Sequence, residues 1–297
     1  MSPVNLGIGA LLKSNGRDAH RLRDLVQWLA RPCQDKHVPT HRKMLLDQRV
    51  LHAPAVSCSL LHTVGVIRAE QLPPLLAAGY RVLRLDMRGH GGSDPVSGAY
   101  TMAQLADDVA AALDFLGIGK VQFIGLSIGG MIGQALAIGH GQRLLSAMLC
   151  DTSPQTMAGA QAAWAPRIEA VKKANSLSPL ADPTMERWFT DAFKPRNPGR
   201  WKEIHATIAG TTPQGYLGCA AAILDFDFTG KLASLRLPTL VVCGAKDEGT
   251  PPAGNKKIAE LIPGARYEEI ADARHFPNVE HPDTFNAIML AWLATHR

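Results

Sequence analysis

Val121-Gln122-Phe123-Ile124-Gly125-Leu126-Ser127-Ile128-Gly129-Gly130 decides how this chain is read. The apolar run from Val121 to Ile124 predicts a buried strand. Gly125, Ser127 and Gly129 spell G-x-S-x-G, and Met131, Ile132, Ala135, Leu136 and Ile138 then recur at helical spacing. Strand, sharp turn and helix form the context in which a serine is presented as a nucleophile. Ser127 takes the strained turn position, and a side chain at 125 or 129 collides with the neighbouring strand or helix. The helix N-terminus then points at the chemistry. The plainer alternative is a Gly-rich turn with an incidental serine, and partner residues elsewhere in the chain distinguish the two.

A serine hydroxyl needs a general base, and the base needs a group that fixes its tautomer. In this type of turn the chain order is Ser, then Asp or Glu, then His. Asp247 lies in Ala245-Lys246-Asp247-Glu248-Gly249-Thr250-Pro251, after the strand-like run Pro238–Gly244. His275 lies in Asp272-Ala273-Arg274-His275-Phe276-Pro277, after the last strand-like run. Glu248 and Asp151 are the rival acids. Asp151 directly follows the strand after the elbow. The other histidines read as loop or surface residues, and His90 as a structural member of its Gly-rich loop. The oxyanion needs two backbone N–H donors. Ile128, next after the serine, supplies one. Thr63, or its neighbour Val64, in the loop after His62 supplies the other.

The 297 residues, 46% hydrophobic and 19% charged, suit a globular α/β chain with one large domain and an inserted subdomain. Strands are expected at Val56–His62, Tyr80–Asp86, Val121–Ile124, Leu145–Cys150, Pro238–Gly244 and Tyr267–Ile270, and helices at Ala69–Leu76, Thr101–Leu116 and Pro282–Thr295. Their alternation predicts a mostly parallel sheet with helices on both faces, ligands binding at the C-terminal strand ends. Between residues 154 and 230 the alternation stops. Helical stretches Gly159–Ala174, Pro183–Phe193, Pro198–Ala209 and Pro213–Leu224 replace it, which predicts a helical cap inserted into a core of residues 56–153 and 231–297. Residues 1–55 form an atypical N-terminal segment, poor in order, with one short amphipathic helix around Leu22–Leu29.

The net charge of +5 does not mark a nucleic-acid face. Nine of the 31 Lys/Arg and four of the 26 Asp/Glu lie in residues 1–60, so the remainder carries 22 of each and is neutral. No basic run is interleaved with aromatics. No apolar run has membrane-span length, and Met1–Arg17 lacks the pattern of a signal peptide. The five cysteines are scattered without C-x-x-C, which predicts reduced thiols and a cytoplasmic chain. No His/Cys cluster has metal-ligand spacing, so neither a metal nor a cofactor is expected. Self-association as a homo-oligomer is left open.

The elbow, the loop Leu83-Arg84-Leu85-Asp86-Met87-Arg88-Gly89-His90-Gly91, and the segments Asp151-Thr152-Ser153 and His275-Phe276-Pro277-Asn278-Val279-Glu280 resemble the α/β-hydrolase superfamily. Within it the chain is most similar to bacterial 3-oxoadipate enol-lactonases and related small esterases. The resemblance implies hydrolysis of a small-molecule ester or lactone through an acyl-enzyme on Ser127. General carboxylesterase activity, cofactor-free haloperoxidase-like activity and non-catalytic ligand binding are the alternatives on the same fold. A lactone bearing a carboxylate needs a cation in the pocket, and Arg167, Arg187, Lys194 and Arg274 are the candidates. One departure concerns the loop after His62, where Thr63 stands in place of the expected glycine.

Overall fold

The core of the fold is a sheet whose central strands split their side chains between two apolar layers. The computed structural model describes residues 69–296, together with the backbone of Asn5–Gly7 and Cys58–His62. Seven strands are described: β1 (Asn5–Gly7), β2 (Cys58–His62), β3 (Arg81–Asp86), β4 (Val121–Leu126), β5 (Leu144–Cys150), β6 (Thr239–Gly244) and β7 (Arg266–Ile270). They form one sheet in the order β1-β3-β2-β4-β5-β6-β7. Each described pairing is parallel.

Successive side chains of a strand point to opposite faces. In β4, Val121 and Phe123 enter one apolar cluster, and Ile124 and Leu126 enter the other. Ala147 and Leu149 of β5 oppose Met148 and Cys150 in the same way, as Val241 of β6 opposes Leu240 and Val242. The first cluster is covered by α2 (Met102–Phe115) and α3 (Ile128–His140), through Leu105, Val109, Leu113, Ile132 and Leu136. The second is covered by α12 (Pro282–Ala294), through Phe285, Met289 and Leu293, and by Leu75 of α1 (Leu72–Ala77). Burial on both faces is why these strands read as continuous apolar runs.

Local signals set several boundaries. Thr101 caps α2 by accepting from the Gln104 N–H at 3.1 Å, while the Gln104 side chain accepts from the Thr101 N–H at 3.0 Å. This reciprocal capping box stops the helix sliding towards its N-terminus. Between β5 and β6 run α4 (Ala160–Ala174), α5 (Ser178–Trp188), α6 (Phe193–Arg196), α7 (Pro198–Ala209), α8 (Pro213–Leu224) and α9 (Thr229–Leu232). Before β7 comes α10 (Pro252–Leu261), and after it α11 (Pro277–Glu280) precedes α12.

One expectation is corrected. The helix placed at Pro183–Phe193 begins at Ser178 and ends at Trp188, with Pro183 inside it and Phe193 opening α6. Proline is a good start signal, but burial of Leu180, Ala181 and Met185 on one face of α5 overrides it. Asn5–Gly7 adds an edge strand beside β3. The remainder of residues 1–55, including Leu22–Leu29, lies outside the described residues. Among the described residues no helix is long and apolar enough to cross a membrane.

Gln122 is a fully buried polar residue in the middle of β4. Its amide donates to the carbonyls of Leu293, 2.8 Å away, and His296, 2.9 Å away, at the C-terminal end of α12. Replacing Gln122 by Ala removes both of these bonds, while the Leu293 carbonyl keeps the His296 N–H at 3.3 Å. The expected loss is about 1–3 kcal/mol of stability, read as a lower urea midpoint with an unchanged slope.

Candidate active site

Ser127 sits between β4 and α3 with φ 57 and ψ −122, a conformation that non-glycine residues rarely adopt. Its surroundings hold it there. The Ser127 N–H donates to the Cys150 carbonyl at 2.9 Å, and the Ser127 carbonyl accepts the Thr152 hydroxyl at 2.9 Å. Position 125 must be glycine, since a Cβ there lies 2.2 Å from the Gly129 carbonyl oxygen. The crowding expected at position 125 is therefore present. Ile128 opens α3, so its N–H belongs to the first turn and has no intrahelical acceptor.

Asp247 follows β6 and His275 follows β7, and backbone bonds join their two loops. Ala245 N–H donates to the Ile270 carbonyl at 2.9 Å, and Lys246 N–H to the Ala273 carbonyl at 2.8 Å. Gly244 permits this close approach, because a Cβ there lies 2.1 Å from the Arg274 carbonyl oxygen. The outcome is a buried hydrogen bond of 2.8 Å between His275 Nδ1 and Asp247 Oδ2. That bond leaves Nε2 as the ring nitrogen available to a reacting group.

The carboxylate of Asp247 is fully engaged. Its Oδ1 accepts the N–H groups of Gly249 at 2.7 Å and Thr250 at 3.2 Å, and its Oδ2 also accepts the Thr250 hydroxyl at 2.7 Å. Burial pushes this carboxyl up, but the His275 charge and the hydrogen bonds from His275 and Thr250 outweigh burial. The acid is held below its ordinary 3.8 and stays ionised.

The rivals are placed differently. Glu248 lines the cavity, but Asp247 is the residue bonded to His275. Asp151 is fully buried at φ 44, and its Oδ1 accepts the Gly244 N–H at 2.8 Å. Burial and the neighbouring Asp247 charge hold its carboxyl well above 3.8, so it keeps its proton. Asp151, Asp247 and His275 bring potential ligand atoms within 4.8 Å of one another. Within this cluster His275 Nδ1 is hydrogen-bonded to Asp247 Oδ2.

His90 is buried and donates from Nδ1 to the Arg88 carbonyl at 3.0 Å, in keeping with a structural role. Among the described thiols, Cys150, Cys219 and Cys243 are free. Burial pushes Cys219, which lines the cavity, up to about 12, so this thiol stays protonated.

Ser127, Ile128 and His275 line one cavity of about 390 Å³. Trp164 and Tyr216 from the helices between β5 and β6 form part of its wall, and Trp188 stacks on His275 with ring centroids 6.0 Å apart. His62 is paired with Gly125 in the sheet, so the chain leaves β2 beside the elbow. Thr63 itself lies outside the described residues.

Three residues not singled out from the sequence tie the site together. Thr152 grips the Ser127 carbonyl through its hydroxyl, and its N–H donates to Asn255 Oδ1 at 2.9 Å. Asn255 Nδ2 then donates to the Thr250 carbonyl at 2.8 Å, and Thr250 holds Asp247. Asn255 lies on α10, more than a hundred positions from Thr152, so no local pattern flags it.

Comparison with known proteins agrees with this geometry. The alpha/beta hydrolase fold family matches residues 61–282. The 3-oxoadipate enol-lactonase 2 of Acinetobacter baylyi is 34% identical over 207 residues, which is 70% of this chain and 76% of that protein. The crystal structure of the enol-lactonase from Burkholderia xenovorans superposes with a TM-score of 0.77 at 33% identity, covering 81% of this chain and 92% of that one. A thermophilic esterase from Thermogutta terrifontis, with malate bound, gives a TM-score of 0.75 at 28% identity, over 82% and 91% of the two chains.

Two stability measurements check these assignments. Asn255→Ala strands the buried Thr152 N–H and Thr250 carbonyl, and is expected to lose about 1–3 kcal/mol in urea unfolding. Asp151 retains its proton in the folded chain while the unfolded chain releases it near 3.8, so its contribution to stability declines as pH rises above that value. Asp151→Asn removes the decline. Its Tm relative to the unsubstituted protein is expected to rise between about pH 4 and pH 7. A constant Tm difference across that range contradicts a protonated Asp151.

Proposed function

The chain belongs to the α/β-hydrolase fold family, and on that footing we propose that it is a serine hydrolase of small carboxylic esters or lactones. The observation that carries the reading is the buried 2.8 Å bond from His275 Nδ1 to Asp247, in the cavity lined by the strained Ser127. Asp247 orients His275 and stabilises the imidazolium that forms when Nε2 takes the Ser127 proton. The Ser127 oxygen bonds to the substrate carbonyl carbon. The carbonyl oxygen becomes an oxyanion facing the Ile128 N–H, with a second donor from the loop that starts at Thr63.

Collapse of this intermediate breaks the bond from the carbonyl carbon to the leaving oxygen. His275 returns its proton to that oxygen, and an acyl-enzyme remains. With a lactone the leaving oxygen stays tethered to the acyl group. His275 then takes a proton from water, whose oxygen attacks the acyl carbon and releases the acid together with Ser127. Similarity to the enol-lactonases favours a lactone among the candidate substrates.

A fluorophosphonate probe is expected to label the folded protein at Ser127, and an activated p-nitrophenyl ester to give a burst of nitrophenol. Ser127→Ala is expected to abolish both. Asp247→Asn, with the geometry kept but the tautomer wrong, is expected to lower kcat by ~10⁴. Unlabelled, correctly folded protein overturns the hydrolase reading in favour of a binding protein.

A further inference from the structure

The loop that carries His275 also grips the end of α5, through side chains that take no part in the hydrolytic steps. Arg274 directly precedes His275, and Glu280 closes α11, which follows it. Arg274 Nη1 donates to the carbonyls of Glu186, at 2.6 Å, and Phe189, at 2.9 Å. Glu280 Oε1 accepts the Thr190 N–H at 2.8 Å and the Thr190 hydroxyl, while its Oε2 accepts the Arg274 N–H at 2.7 Å.

These bonds stand in for the next turn of α5. In an unbroken helix the Thr190 N–H would donate to the Glu186 carbonyl. Here Glu280 takes the N–H and Arg274 takes the carbonyl, so both groups are satisfied where the helix stops at Trp188. Both contacts are charge-assisted and therefore stronger than neutral ones. Phe189 turns to extended backbone and is buried against Phe193 and Phe276, with ring centroids 4.3 Å and 5.7 Å away.

Trp188 is fixed by this clasp, because it lies between the Glu186 and Phe189 carbonyls that Arg274 holds. Its ring stacks on His275 with centroids 6.0 Å apart and planes 30° from parallel, and meets Phe276 edge-on at 4.6 Å. Trp188 and His275 line the same cavity, and His275 is only 3% exposed. An indole face attracts a cation at this separation, most strongly where water is excluded. In the hydrolytic steps the His275 ring becomes an imidazolium when Nε2 takes the Ser127 proton. The attraction therefore grows towards the transition state, which is where an interaction accelerates a reaction.

Two further ties hold the helices between β5 and β6 to the sheet domain elsewhere. Arg200 of α7 bonds both carboxylate oxygens of Glu70, just before α1, at 2.7 Å and 3.0 Å. The Thr212 hydroxyl donates to the Gly89 carbonyl at 2.7 Å. Attachment of these helices and placement of Trp188 can thus be perturbed separately.

We propose that Arg274 and Glu280 are positioning residues that hold the Trp188 indole against His275, where it stabilises the imidazolium formed during turnover. The stabilisation rests on the serine-hydrolase reading; the placement of the indole by the clasp does not.

Hydrolysis of p-nitrophenyl acetate by the full chain tests the kinetic consequence. Glu280→Gln and Arg274→Gln are each expected to lower kcat about 10-fold with KM nearly unchanged, and Trp188→Leu to lower kcat by a similar factor. Trp188→Phe, which keeps an aromatic face, is expected to retain most of the rate. The Glu280→Gln/Trp188→Leu double variant is expected to be no slower than the slower single variant, since both remove the same contact. Glu70→Gln, which loosens only the Arg200 tie, is expected to keep the kcat of the unsubstituted protein. Losses that multiply in the double variant, an unchanged kcat in Glu280→Gln, or an equal loss in Glu70→Gln overturn the proposal.

A measurement without substrate separates this proposal from the hydrolase reading. In the NMR spectrum of the unsubstituted protein a nuclear Overhauser contact between the His275 and Trp188 rings is expected, assigned by its absence in Trp188→Leu. In Glu280→Gln it is expected to vanish, while the contact between the Trp292 and His296 rings, 4.0 Å apart, persists as the sign of an intact fold. That result supports the clasp even if no ester is hydrolysed. A His275–Trp188 contact that survives in Glu280→Gln, or is missing from the unsubstituted protein, overturns it even if esters are hydrolysed.

Discussion

Holding Ser127 at positive φ is the constraint on which the site depends. A β-to-α turn this sharp puts the serine in a backbone region worth roughly 1–3 kcal/mol of strain, sustained only where the surroundings over-determine it. Three features do so here. The Cys150 carbonyl takes the Ser127 N–H, the Thr152 hydroxyl takes its carbonyl, and the missing side chain at Gly125 lets β4 and α3 close on each other. Thr152 passes this order onward through Asn255 and Thr250 to Asp247, and from there to His275. Ser127, Asp247 and His275 come from three separate strand ends, but one run of hydrogen bonds connects their loops. Each link lies where low dielectric makes an unmade bond expensive, so the arrangement is either complete or badly destabilised.

Burial also sorts two neighbouring carboxyl groups into different states. Asp247 gathers an imidazole, a hydroxyl and two backbone N–H groups, and remains charged. Asp151 has a single N–H on one oxygen and the Asp247 charge beside it, and remains neutral. One negative charge is thus presented to His275 where two would repel each other.

Much of this was legible in the sequence because it is local. The apolar run before Gly125 and the helical spacing after Ser127 placed the elbow, and chain order pointed to Asp247 and His275. Strand positions were legible because both faces of the sheet are buried, as the uniformly buried β4 and β6 illustrate. Helices α7 and α8 begin at prolines in the first turn, where proline is most at home. The start of α5 was misread for the same reason, since Pro183 carries a start signal that packing of Leu180 and Met185 overrules. Thr152, Thr250 and Asn255 were not singled out because their roles consist entirely of contacts between distant segments.

By itself the sequence determined the class of fold, the strand-to-helix turn at Ser127 and the strand ends after which Asp247 and His275 lie, since these follow from periodicity, glycine placement and residue type along short stretches. Tertiary structure alone decided between Asp247 and Asp151. Both follow parallel strands and both are buried, and only the hydrogen bonds each receives in the folded chain set which one carries the charge. It also decided which of four candidate cations face the cavity, leaving Arg167 and Arg187 there while Arg274 and Lys194 are committed to α5–α6 backbone carbonyls and the Trp201 ring. Charge state and access depend on what surrounds a group in space, and a linear pattern does not contain that.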